Sequence, residues 1–152
     1  MKKIKELFLK YKEIIMYLVF GVLTTVVNWG SYAVFEISLE TFITDTILLS
    51  SVANVPSWIT AVLFAFITNK LWVFESRSFK GTLLLKELGA FVASRLITGA
   101  IEGFGVPLLM IAGLNQSILG IEGMLAKVLI SVIVVILNYI LSKLLVFRKK
   151  KK

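Results

Sequence analysis

Four apolar runs, near Ile14 to Phe35, Ile47 to Phe74, Leu83 to Ile111 and Ile121 to Phe147, take up most of a chain of 152 residues. Each offers the roughly 20 predominantly apolar residues that a helix needs to cross the hydrocarbon core of a bilayer, and each is bounded by charge, Pro or Gly. A soluble domain could not hide this composition in so small a core: 58% of residues are hydrophobic and the mean hydropathy is +0.91. The expected fold is an all-α integral membrane protein with four transmembrane helices. The second and fourth runs are overlong, so their helices tilt or carry residues at the interface.

The net charge of +8 lies in three clusters beside the runs rather than on a folded basic face, which argues against a nucleic-acid partner. Lys2, Lys3, Lys5, Lys10 and Lys12 precede the first run; Arg77, Lys80 and Lys86 lie between the second and third; Lys143, Arg148 and the closing lysines end the fourth. The connections about Glu36 to Thr46 and Ala112 to Gly120 hold no Lys or Arg. By the positive-inside rule the N and C termini and the middle connection are expected to be cytoplasmic. The start MKKIKELFLKYKE resembles the basic region of a signal peptide, but the run after it is too long and no A-x-A-like site follows, so the first helix is expected to stay. With no cysteine and no histidine, the chain has no thiolate or imidazole metal ligand, no disulfide, no Cys nucleophile and no His proton relay.

Residues 14–74 can be laid over 87–147 at an offset of about 73 or 74. Gly21, Thr24 and Asn28 then fall on Arg95, Thr98 and Glu102; Asn54 falls on Lys127 and Asn69 on Ser142. The end of the second run, FAFITNKLWVF, is echoed by LNYILSKLLVF at the end of the fourth. The expected architecture is therefore two helical hairpins of one orientation, a parallel repeat about an axis along the membrane normal, within a single four-helix domain spanning 1–152. Such a repeat lacks the inverted symmetry with which many transporters alternate access, and homo-oligomerisation is one device that would replace it.

At about 1.5 Å per residue from the cytoplasmic ends, the polar residues sort into layers. Asn69, Lys70, Ser142 and Lys143 are expected at the cytoplasmic surface. Arg95 falls roughly 13 Å inward, while Asn28, Asn54, Glu102 and Lys127 fall roughly 22 to 25 Å in. Arg95, Thr98 and Glu102 follow i, i+3, i+7 spacing, a single helix face that is expected to look into protein or water. An arginine at mid-membrane costs about 2.5 to 3.5 kcal/mol on insertion scales and calls for a partner. Lys127, at the depth of Glu102, is the natural partner of that carboxylate, which leaves Arg95 without one. Two readings follow: a structural lock with snorkelling lysines, or a polar path in which Arg95 meets the phosphate of an anionic lipid. Gly99 and Gly103, in G-x-x-x-G spacing, are expected to mark close helix approach. Pro56 and Pro107 are expected sites of bending. Trp72, Phe74 and Phe147, taken singly, read as an interfacial aromatic belt, and the basic termini read as topology signals that touch anionic membrane lipids.

YLVFGVLTTVVNW, AFITNKLWVF, FVASRLITGAIEG and LNYILSKLLVF together resemble the GtrA-like family, from about Met16 to Phe147. NKLWVF is the most specific element. The resemblance is strongest to members linked with glycosylation of wall teichoic acid in Gram-positive bacteria. It implies a four-helix protein of the cytoplasmic membrane that moves an undecaprenyl-phosphate-linked monosaccharide to the outer leaflet. It supports Phe20, Gly21, Thr24, Ala65, Asn69, Lys70, Val73, Phe74, Phe91, Arg95, Lys127, Asn138, Lys143 and Phe147 as positions that fit the family pattern. Asn28 stands where many members have aspartate, and Glu102 replaces a second aspartate.

Together these readings give a substrate path of Lys70 and Lys143 collecting the phosphate, Arg95 holding it midway, and the outer layer of Asn28, Asn54, Glu102 and Lys127 passing the sugar hydroxyls. Asn69, Phe74, Phe91 and Asn138 join through the family pattern. No catalytic residue, metal or cofactor is expected, and the pathway's glycosyltransferases on both sides of the membrane are the implied partners. The rival reading is a non-transporting subunit that anchors or organises a polyprenyl-phosphate glycosyltransferase. A glycosyltransferase itself would need larger extramembrane loops, and a multidrug-type exporter of cations would need an unpaired intramembrane carboxylate.

Overall fold

The computed structural model describes residues 2–114, 116 and 123–147, with side chains from residue 9 onward. Among these residues every element is helical: α1 (Lys2–Leu39), α2 (Thr46–Thr68), α3 (Gly81–Ile111) and α4 (Met124–Leu141). Two five-residue π-helical turns, π1 (Asn69–Val73) and π2 (Ser142–Val146), extend α2 and α4. The four helices are long and apolar enough to cross a membrane, with spans Leu9–Leu39, Thr46–Val73, Gly81–Ile111 and Met124–Val146. Their exposed surface is rich in large apolar side chains, among them Val22, Ile37, Leu85, Phe104 and Leu145, as a lipid-facing surface requires. The chain is an integral membrane protein.

The expected spans hold with one correction. The first helix begins at Lys2 rather than near Ile14 and ends at Leu39 rather than near Phe35. The segment KKIKELFLKYKE consists mostly of strong helix formers, so the helix continues past the hydrocarbon instead of stopping where charge begins. At about 1.5 Å per residue α1 measures about 57 Å, against a hydrocarbon core of about 30 Å. Residues 121 and 122, expected to open the fourth helix, and the basic tail from 148 lie outside the described residues.

The chain divides into two compact units, Met1–Arg77 and Ser78–Lys152, each a hairpin. In the first, α1 packs along α2 and π1. Asp45 caps α2, its carboxylate accepting from the Leu48 N–H at 2.8 Å. Leu49, Ala53, Ser57, Ala61, Ala65, Asn69 and Val73 are buried at a strict spacing of four. In the second unit α3 packs along α4 and π2, and Ala126, Ile130, Val134, Asn138, Ser142 and Val146 repeat that spacing. Four residues of α-helix turn through about 400°, so such a stripe drifts about 40° per step around its helix. Small residues along it, three alanines and a serine in α2, permit close helix approach where lipid supplies no hydrophobic drive.

Close approach in the second hairpin occurs at Gly105, where an added Cβ would lie 2.8 Å from Ile130 Cδ1. Gly99 and Gly103, expected to mark it, face open space: a Cβ at either would meet nothing within 4 Å. They sit off the buried α3 stripe of Glu87, Phe91, Ser94 and Thr98. Gly123, immediately before α4, has φ of 70°, and a Cβ there would lie 2.5 Å from Met110 Sδ. Gly123→Ala is expected to destabilise this hairpin by about 1 to 2 kcal/mol through left-handed backbone strain. The midpoint of denaturant unfolding in detergent checks this.

Candidate functional site: the π turns and the polar face of α3

NKLWVF and SKLLVF adopt the same widened turn. The Phe74 N–H donates to the Asn69 carbonyl and the Phe147 N–H to the Ser142 carbonyl, both at 2.8 Å and both i→i+5. Each closing phenylalanine is then buried against an aromatic of the preceding helix. Phe74 lies 6.5 Å from Tyr17 and Phe147 lies 6.2 Å from Phe91, centroid to centroid. Tyr17 and Phe91 are themselves related by the repeat. Phe74 and Phe147 are thus internal anchors rather than members of an interfacial belt. Trp72 fits the belt, half-exposed and stacked on Phe20 at 5.5 Å.

Each π turn opens on a buried polar side chain. Asn69 Nδ2 donates to the Ala65 carbonyl at 2.7 Å, whereas Asn69 Oδ1 and Ser142 Oγ have no hydrogen-bond partner among the described residues. The two lysines that follow differ, contrary to the expectation that both sit at the surface. Lys70 is fully buried, its ammonium donating to Ser76 Oγ at 3.1 Å. Lys143 is exposed, donating to the Tyr139 hydroxyl at 3.0 Å, with its ammonium 5.3 Å from that ring's centroid. Lys70 is held down by the chain reversal after π1. Glu75 takes φ of 52°, and the Ser76 N–H returns to the Lys70 carbonyl at 2.8 Å. Glu75 also accepts from Lys12 at 3.1 Å, joining α1 to this turn through a half-exposed pair worth at most about 1 kcal/mol.

In the second hairpin the buried face of α3 is centred on Phe91, Ser94 and Thr98, one residue behind the expected Arg95, Thr98, Glu102 face. Of that expected set only Thr98 is buried. Arg95, at the middle of α3, is half-buried at the edge of the stripe, its guanidinium carbon 4.9 Å from the Phe91 ring centroid. Glu102 is half-buried and pairs with Lys127 at 2.5 Å, as its depth predicts. Among the described residues of this hairpin Arg95 therefore has a π face but no carboxylate partner. Asn138, buried on α4, accepts from the Thr98 hydroxyl at 2.9 Å. Thr98→Val is expected to cost about 1 kcal/mol, as interhelical hydrogen bonds in membranes do, with the unfolding midpoint in detergent as the readout. Asn28 is half-buried on α1 and Asn54 is exposed on α2, so of the residues expected in the outer layer Glu102 and Lys127 pair, while the Asn28 and Asn54 side chains have no partner among the described residues.

The buried tyrosine, the π turns and Ser94 on the buried stripe are what sequence reasoning missed; Ser142 was singled out as the counterpart of Asn69, but its burial was not foreseen. Strict spacing by four from Ala126 to Val146 was the signal available for Ser142.

Two membrane hairpins with matching widened ends define a four-helix membrane protein, and the chain belongs to the GtrA/DPMS transmembrane domain family, whose model matches residues 16–147. Relatives align over almost the whole chain. An uncharacterised membrane protein, YwcD of Bacillus subtilis (strain 168), is 39% identical over 137 residues, covering 90% of this chain and 98% of its own length. The cell wall teichoic acid glycosylation protein GtcA of Listeria innocua is 36% identical over 142 residues, covering 91% of this chain and 87% of its own. The protein of that name from Listeria monocytogenes is 33% identical over the same length. No solved structure matches.

Proposed function

We propose that the chain carries an undecaprenyl-phosphate-linked monosaccharide across the bacterial cytoplasmic membrane, supplying sugar for glycosylation of a cell-wall polymer such as wall teichoic acid. The observation that carries this reading is Arg95: a half-buried guanidinium in mid-span whose partners among the described residues give it a ring face and no anion. A phosphate matches that vacancy, because a guanidinium holds two phosphate oxygens with parallel hydrogen bonds. The likeness to teichoic acid glycosylation proteins supports the sugar as the passenger's other half.

In this scheme both termini and the connection after π1 are cytoplasmic. Exposed Lys143 attracts the phosphate at that surface. Lys70, buried against Ser76, and Asn69, buried and bonded to the Ala65 carbonyl, shape the turn instead of collecting substrate. The polyprenyl tail stays in lipid throughout. The chain performs no covalent chemistry in this scheme; the pathway's glycosyltransferases load the lipid inside and drain it outside, which gives a reversible carrier its direction.

Transbilayer movement of labelled polyprenyl-phosphate hexose in vesicles tests the proposal. Movement that requires the protein is the expected result. Vesicles in which the protein adds nothing, with stable co-purification of a glycosyltransferase, would instead establish an anchoring subunit.

A further inference from the structure

The first hairpin carries a groove of about 420 Å³ lined by Ser51, Asn54, Val55 and Trp58. These positions follow i, i+3, i+4, i+7 on α2, a different stripe from the buried one through Ala53, Ser57 and Ala61. The groove's size falls within the roughly 300 to 1,000 Å³ of small-molecule sites. Asn54 lies nine residues beyond Asp45, about 13 Å along the helix, and about 22 Å from Asn69 at the other end.

The chemistry offered there is neutral, polar and unspent. Asn54 is exposed, and its side-chain amide, with two donors and an acceptor, has no partner among the described residues. Pro56 has no N–H, so the Val52 carbonyl lacks its helical donor. Ser51 gives its proton to the Ile47 carbonyl at 2.8 Å and keeps its lone pairs free to accept. Trp58, 38% exposed, adds an apolar ring face and an N–H. No charged side chain lines the groove.

An uncommitted amide within a membrane span is costly without a polar occupant. A phosphate would find no cation here, and a prenyl or acyl chain would leave the amide unpaired. A pyranose satisfies every group: its C–H face packs on an indole, and its hydroxyls both donate and accept. We infer that this groove binds the sugar ring of the lipid-linked substrate, with Trp58 under the ring and Asn54 fixing hydroxyls. The inference rests on the lipid-linked sugar being the passenger.

Radiolabelled farnesyl-phosphate hexoses and farnesyl phosphate itself, titrated against the full chain in nanodiscs, test it. Asn54→Leu and Trp58→Ala are each expected to weaken the hexose-bearing probe by about ten-fold, as loss of a hydrogen-bonded or stacked contact does, and to leave farnesyl phosphate within about two-fold. Both positions are on the surface, and a matched unfolding midpoint confirms that the variants fold. Equal weakening of both probes, or unchanged hexose binding in both variants, overturns the groove while leaving the carrier reading intact. A wild-type chain that binds the hexose-bearing probe no better than a lipid without sugar or phosphate overturns both.

Discussion

If the chain is the proposed carrier, Arg95→Ala is expected to slow transbilayer movement of polyprenyl-phosphate hexose by at least about 30-fold, the equivalent of the 2 kcal/mol at the lower end for truncating one partner of a buried charge pair. The expectation follows from the second hairpin alone. Glu102 is engaged by Lys127, and Phe91 offers only the face of a ring, so in the proposed scheme a substrate phosphate takes the guanidinium. Arg95→Lys recovers little, because an ammonium is a point donor and cannot hold two oxygens in a fixed fork. The measurement is a vesicle assay at matched protein content. Wild-type movement in Arg95→Ala would remove the phosphate role and leave the arginine as a packing residue on Phe91.

Lys70→Ala destabilises the folded chain by about 3 to 5 kcal/mol, whereas Lys143→Ala changes stability by less than about 0.5 kcal/mol. The two lysines occupy the same place in the repeat, and residue type alone would assign them equal effects. Their surroundings differ. Lys70 is completely enclosed and bonded to Ser76, so truncation leaves both a cavity and polar groups without their cation. Lys143 is exposed, so the groups that lose its ammonium are reached by water. Reversible unfolding in mixed micelles reads both values, and equal losses would contradict the assigned environments.

The spans were legible because hydropathy averages over some twenty residues and tolerates small errors at each end. The Glu102–Lys127 pair was legible because opposite charges at one depth in a membrane have few other options. The π turns were not. NKLWV and SKLLV are ordinary helical pentapeptides, and no residue type announces an i→i+5 bond in place of i→i+4. The opposite exposures of Lys70 and Lys143 were hidden for a related reason: burial depends on what folds over a residue, and the reversal at Glu75 and Ser76 covers one lysine. Thr98 drew notice only as part of a face and Asn138 only through a family pattern; their bond emerges when α3 meets α4. Arg95 lies near the middle of α3 but a residue off the buried stripe, since i, i+3, i+7 spacing fits two adjacent stripes equally well.

The widened turns also show how little a local backbone shape decides about its surroundings. Each holds one residue more than an α turn, and Asn69 and Ser142 begin them 73 positions apart. The same geometry leaves Lys70 shielded in one hairpin and Lys143 open in the other, so a shared backbone frame does not fix what its lysine can reach.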